Sequence, residues 1–286
     1  MAYLLIVSLI WAFSFGLIKT YLQGVDPFVI AWARMAVALP LFLPFLRLRG
    51  LPPAIAIRLV FIGFVQYGVM YITYLQAFRY LEAYQVAIFT IFTPLYVTLI
   101  DDLRARRFRP LSLLAAGMAV AGAAIITYRG MGRGGILTGF FLMQLSNLCF
   151  AYGQIEYKRL RPAFARFRDR QVYALLYLGA AAITALATTL SGGWGSLAIL
   201  DLRQAGTLLY LGVLASGLCF FWWNKGAVLT DAGTLAVFNN MKIPLAVAVS
   251  LAVFGERADL VRLILGGSVM AFAVWFSRRP PPGIVS

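Results

Sequence analysis

Histidine is absent from the 286 residues, cysteine occurs twice, and charged side chains make up only 12% of the chain. Without histidine there is no imidazole base, no histidine metal ligand and no side chain that ordinarily titrates near neutrality. Cys149 and Cys219 both fall inside apolar stretches, so a disulfide framework is not expected. Acidic residues number 10 against 25 Lys and Arg. Glu82, Asp101, Glu156 and Asp231 all stand near the ends of apolar stretches, which leaves no carboxylate in mid-stretch for an ordinary proton relay. No cluster of acids, metal ligands or nucleophile and base is visible. No catalytic residue, metal or cofactor is therefore expected, and Asp101-Asp102 beside Arg104 reads as a loop feature.

What is present is apolar surface. Hydrophobic residues make up 62% of the chain, against about half in a soluble domain. They are laid out in ten blocks near the ~20 residues that span a bilayer: 3–22, 27–46, 54–78, 83–100, 110–128, 135–157, 171–190, 206–226, 233–254 and 260–276. Pro52-Pro53, Pro110 and the glycine-rich 130–135 segment punctuate them. The first block has neither a basic leader nor a small-residue cleavage site, so it reads as a retained span. The net charge of +15 resides mainly in the short connections and is assigned to topology, with no nucleic-acid partner. Placing both termini in the cytoplasm puts 16 Lys and Arg inside and 7 outside, as the positive-inside rule asks. The lipid bilayer and a small-molecule substrate are the expected partners, and a homodimer is left open.

The chain also resembles itself. A shift of 150 lays 83–89 over 233–239 and Pro94-Leu95 over Pro244-Leu245. A shift of 149 lays Gly63 and Gly68 over Gly212 and Gly217, and one of 137 lays Phe13, Phe15-Gly16 and Ile18 over Phe150, Tyr152-Gly153 and Ile155. Each match is weak alone, but they keep a common order. The expected organisation is a first five-helix repeat (1–128), a linker (129–134), a second repeat (135–277) and a cytoplasmic tail (278–286). An odd number of spans per repeat inverts the second half, the arrangement of secondary transporters whose sites lie near the midplane.

Two cations lie deep in the apolar blocks. Lys242 is nine residues into its block, ~14 Å along a helix. Asn239 and Asn240 are a turn away, and Pro244 frees a backbone carbonyl close by. The group can bind a carboxylate or phosphate, or the lysine can be held by helix ends or kept neutral by burial. Arg34 can fork onto a carboxylate or pin its helix to neighbours. Tyr67, Tyr71 and Tyr74 share one helical face, suited to a cavity wall or to packing. Phe15, Phe89 and Tyr152 are further candidate wall residues. Gln154 and Asn224 are candidates for a polar route, and Asn147 for helix glue. Trp222 and Trp223, near a block end, fit an interfacial belt. Pro94 and Pro244 are repeat mates and candidate hinges.

Trp11-Ala12-Phe13-Ser14-Phe15 with Lys19, Pro27, Ala33-Arg34, Pro94, Pro244 and Gly255-Glu256 resembles the EamA-type branch of the drug/metabolite transporter superfamily over essentially the whole chain. The resemblance implies ten helices in two inverted five-helix halves. Spans one, three, four, six, eight and nine would surround a central cavity, with five and ten peripheral. Lys242 departs from many members, which have an apolar residue there. The expected protein is a multi-pass, all-α transporter of the bacterial inner membrane. Its expected activity is export or exchange of a small metabolite, such as an amino acid or organic acid, by alternating access. Multidrug efflux is one alternative, and a membrane enzyme acting on lipid-linked substrates is another.

Overall fold

The computed structural model describes residues 2–104, 118, 121–122, 125, 135–230, 243, 245–257 and 259–277. These residues form helices joined by turns, with no strand among them. Among the described residues, seven helices are long and apolar enough to cross a membrane: α1 (Ala2–Tyr21), α2 (Pro27–Phe45), α3 (Pro53–Ala77), α4 (Ala83–Arg104), α5 (Ile136–Phe164), α6 (Tyr173–Ser191) and α7 (Leu202–Leu229). An eighth, α8 (Leu260–Ser277), coincides with the last predicted span. The predicted span 110–128 and most of 233–254 lie outside the described residues, and with them Pro110, Asn239, Asn240, Lys242 and Pro244.

Polarity runs inside out relative to a soluble protein. Leu5, Ile6, Leu9, Ile57, Phe61, Phe141, Leu186 and Ile264 are exposed, while Arg34, Gln66, Asn147, Gln154, Ser216 and Asn224 are buried. Hydrocarbon offers polar groups no partner, so they must find one inside the bundle.

Helix ends are closed by side chains. The Asp26 carboxylate accepts from the amides of Phe28 and Val29 at the start of α2, with Pro27 at the position where proline costs no hydrogen bond. At the turn between α3 and α4, Lys19 Nζ donates to the carbonyls of Phe78 (3.2 Å) and Leu81 (2.9 Å) and lies 3.5 Å from Glu82. Glu256 accepts from the amides of Ala83 and Tyr84 at the start of α4. Burial pushes its carboxyl above the usual range despite those two donors. At the opposite end, Lys158 Nζ donates to the Thr230 carbonyl just past α7 (3.0 Å), and Glu156 lies 2.7 Å from Arg104.

Two helices widen in mid-span. A π-helical segment occupies Phe64–Val69 in α3 and another Leu211–Leu218 in α7. Each is pressed against a neighbour at glycine. A Cβ at Gly63 would sit 1.8 Å from the Leu176 carbonyl oxygen of α6, and one at Gly179 would sit 2.0 Å from that of Val60. A Cβ at Gly212 would sit 2.7 Å from Val37 of α2, and one at Gly217 2.5 Å from Leu41. Only glycine permits backbones this close.

α4 is broken rather than widened. Residues Thr90–Phe92 form a 3-10 turn just before Pro94, and the Thr93 amide turns back to the Thr90 carbonyl. The Phe89 carbonyl thereby loses its helical donor and accepts from Asn147 Nδ2 of α5 instead (2.8 Å).

Candidate functional site

A cavity opens where α1, α2, α3, α4, α5 and α7 meet. Its lining includes Trp11, Ser14, Phe15, Arg34, Tyr71, Tyr74, Thr90, Thr93, Asn147, Phe150 and Phe220, and water can enter about 70 Å³ of it. The walls are aromatic. Trp11 packs at 5.2 Å from Phe220 and 6.0 Å from Phe150 between ring centroids, and Tyr74 edges onto both Phe15 and Tyr71. Edge-on contacts of this kind are among the favoured arrangements of aromatic pairs.

Arg34 supplies the charge. It is 2% exposed. Its Nε donates to Ser216 Oγ (3.0 Å) and its Nη2 to the Tyr71 hydroxyl (2.5 Å). The guanidinium carbon lies 4.2 Å from the centre of the Tyr71 ring, a cation–π distance. Among the described residues, no carboxylate pairs with Arg34, and two of the five donors of its fork are used.

Beside the cavity runs a second polar layer. Gln66 and Asn224 exchange amide hydrogen bonds (3.0 and 3.3 Å), and Asn224 Nδ2 donates to the Tyr67 hydroxyl (2.8 Å). The Tyr67 and Tyr173 hydroxyls are 2.5 Å apart, and Tyr173 donates to the Phe220 carbonyl (2.6 Å). The π-helical segment of α7 lets go of carbonyls that outside donors then take. Trp11 Nε1 bonds Ala215, and the Tyr177 hydroxyl bonds both Ser216 and Gly217. Trp223 Nε1 donates to Gln154 Oε1 (3.0 Å).

The sequence candidates thus separate into groups. Phe15, Arg34, Tyr71 and Tyr74 line the cavity. Tyr67, Gln154 and Asn224 belong to the layer behind it. Phe89 is buried against Phe140 and contributes its backbone carbonyl to Asn147. Neither Phe89 nor Tyr152 lines the cavity. Trp223 is a correction: it is fully buried and packs 5.0 Å from Trp11, so it is no interfacial belt residue. Sequence reasoning missed Ser216, Phe220, Thr90, Thr93, Gln66, Tyr173 and Tyr177. The spacing of Tyr173 and Tyr177, one helical turn apart, was the available sign for two of them.

Comparison with known proteins gives the site its context. Residues 1–128 match the model of the EamA-like transporter family. A protein of Pseudomonas aeruginosa named "Probable biotin transporter" is 42% identical over 280 residues, 97% of each chain. Proteins named "Biotin transporter" from Salmonella typhimurium and Escherichia coli K12 are each 39% identical over 284 residues, 98% of this chain and 93% of theirs. A solved crystal structure superposes with a TM-score of 0.65 at 17% identity, covering 97% of this chain and 96% of that one, and speaks to the fold alone. An all-helical bundle with polar groups turned inward and whole-length identity to named transporters leave no place for the enzyme alternative: this chain is a multi-pass membrane transporter and belongs to the EamA-like transporter family.

Proposed function

We propose that the protein is a secondary transporter of biotin, or of a carboxylate closely like it, working by alternating access around the cavity between α1, α2, α3, α4, α5 and α7. The observation that carries the reading is the cavity itself: an aromatic chamber inside the bundle, holding one buried cation and contributed to by both halves of the chain. Whole-length identity to proteins named for biotin favours that substrate over the amino acids among which the sequence left the choice. A buried cation favours an anion over the lipophilic cations typical of multidrug efflux. The space open to water, about 70 Å³, is small beside a typical ligand pocket, so a substrate enters only when helices part.

The proposed motion rests on an inverted repeat, in the inner membrane and with both termini cytoplasmic. Three features support it. Gly63 and Gly68 of α3 face Leu176 and Ala180 of α6, while Gly212 and Gly217 of α7 face Val37 and Leu41 of α2. Shifts of 149 and 139 interchange the two sets (63 and 68 go to 212 and 217; 37 and 41 go to 176 and 180). The two π-helical segments fall at the same offset of 149, within two residues. Lys19 closes the end of α3 and Lys158 the end of α7, at opposite ends of the bundle. In this scheme Pro94 and its mate Pro244 are the hinges, and Lys242, Asn239 and Asn240, which lie outside the described residues, keep the substrate-binding role their sequence pattern suggests.

Transport is by facilitation or exchange, a reading supported by the acidic residues of the sequence, which stand near the ends of the apolar blocks or between them rather than in mid-block. The test is uptake of labelled biotin into proteoliposomes holding the purified chain. Saturable, protein-dependent uptake down a biotin gradient, with no pH gradient imposed, is expected. Uptake that appears only when a pH gradient is applied would overturn the mode of transport, and none under either condition would overturn the substrate.

A further inference from the structure

The repeat supplies an internal control for Arg34. Adding 139 to 34 gives 173, and adding 149 to 67 and 71 gives 216 and 220. Arg34 of α2 bonds Ser216 of α7 and Tyr71 of α3. Tyr173 of α6 bonds Tyr67 of α3 and the backbone of Phe220 in α7. Under the repeat, each partner of Arg34 is the mate of a partner of Tyr173. The same three-helix tie is therefore made twice, once by an arginine and once by a neutral tyrosine.

A tie between helices thus does not require a charge. A guanidinium buried in a membrane is costly and usually functional, and among the described residues this one has only hydroxyls and an aromatic ring as partners. Nine of the ten acidic residues are described, and none reaches it; Asp26, Glu82, Glu156, Asp169 and Asp259 make ion pairs near helix ends. Tyr173 is closed off within the second polar layer, whereas Arg34 lines the cavity. We infer that Arg34 is the residue that receives the carboxylate of the transported anion. Ser216 and Tyr71 hold the fork in position, leaving its remaining donors for the substrate. A planar fork suits a planar carboxylate bidentately, and Tyr74, Phe15 and Trp11 offer faces and edges to the apolar body. The inference rests on the transport reading above, and it makes the selected class monocarboxylates with an apolar body, with the negative charge obligatory.

The test uses the full chain in proteoliposomes, with labelled biotin as substrate and unlabelled biotin or its neutral primary amide as competitor. In the wild type, the amide should compete at least about tenfold more weakly than biotin. Arg34→Gln and Arg34→Tyr, the latter installing the residue found at the mate position, should fold, raise the KM for biotin by roughly tenfold to a hundredfold and lose the preference for acid over amide. Tyr173→Phe should keep that preference. A wild type that binds acid and amide alike would overturn the inference, as would a folded Arg34 variant that keeps the preference. If neither neutral variant folds as a monodisperse protein, the charge serves the fold and the inference fails. Absence of biotin flux in the wild type would instead strike the transport reading.

Discussion

Asn147 shows how a single side chain reconciles a broken helix with hydrocarbon. Pro94 and the 3-10 turn before it leave the Phe89 carbonyl without its helical donor, and the Asn147 amide replaces that donor while its own Oδ1 accepts from Thr93 (3.3 Å). Asn147→Leu keeps the volume and removes the donor. The orphaned carbonyl should cost on the order of 1–3 kcal/mol, read as a lower midpoint of thermal unfolding in detergent. An unchanged midpoint would mean that the break in α4 is satisfied some other way. Asn147 was legible from the sequence as glue, because an amide in an apolar block must bond across helices. Trp223 was not: its place near a block end resembled a belt residue, and only the packing of α1 onto α7 turns its indole inward to Gln154.

At the scale of elements, α3 and α6 meet through backbone. Gly63 faces the Leu176 carbonyl and Gly179 faces that of Val60, so neither helix can carry a side chain at the crossing. Gly179→Ala should therefore force the pair apart and destabilise the protein by roughly 1–3 kcal/mol. Gly206→Ala, where an added Cβ meets nothing within 4 Å, should be neutral or slightly stabilising through helix propensity. Equal unfolding midpoints for the two variants would show that the crossing is looser than its geometry implies. The limits of the described helices were largely readable, since block length and proline punctuation follow from bilayer thickness and backbone chemistry. The π-helical segments were not readable. Nothing in Phe64–Val69 or Leu211–Leu218 taken alone asks for a wider turn. Both lie at glycine crossings, and in α7 the side-chain donors Trp11 and Tyr177 take carbonyls of the segment.

For the whole molecule, the cavity joins helices far apart in sequence, and this limits what one chain reveals before it is folded. Arg34 was conspicuous as a charge in an apolar block, but its partner Ser216 lies 182 positions away and has no distinguishing local signal. The tyrosine face of α3 was visible as a stripe, yet its residues divide between two tasks. Tyr71 and Tyr74 face the cavity, and Tyr67 bonds within the layer behind it. Under the proposed repeat, the matched ties at Arg34 and Tyr173 differ in charge, and the inferred anion site lies on the charged one. The most direct measurement is counterflow. Proteoliposomes preloaded with unlabelled biotin are diluted into a trace of labelled biotin, with equal pH on both sides and no membrane potential. The account predicts transient accumulation of label above equilibrium, abolished when the internal biotin is replaced by its neutral amide. No accumulation from folded protein, or equal accumulation with the amide inside, would contradict it.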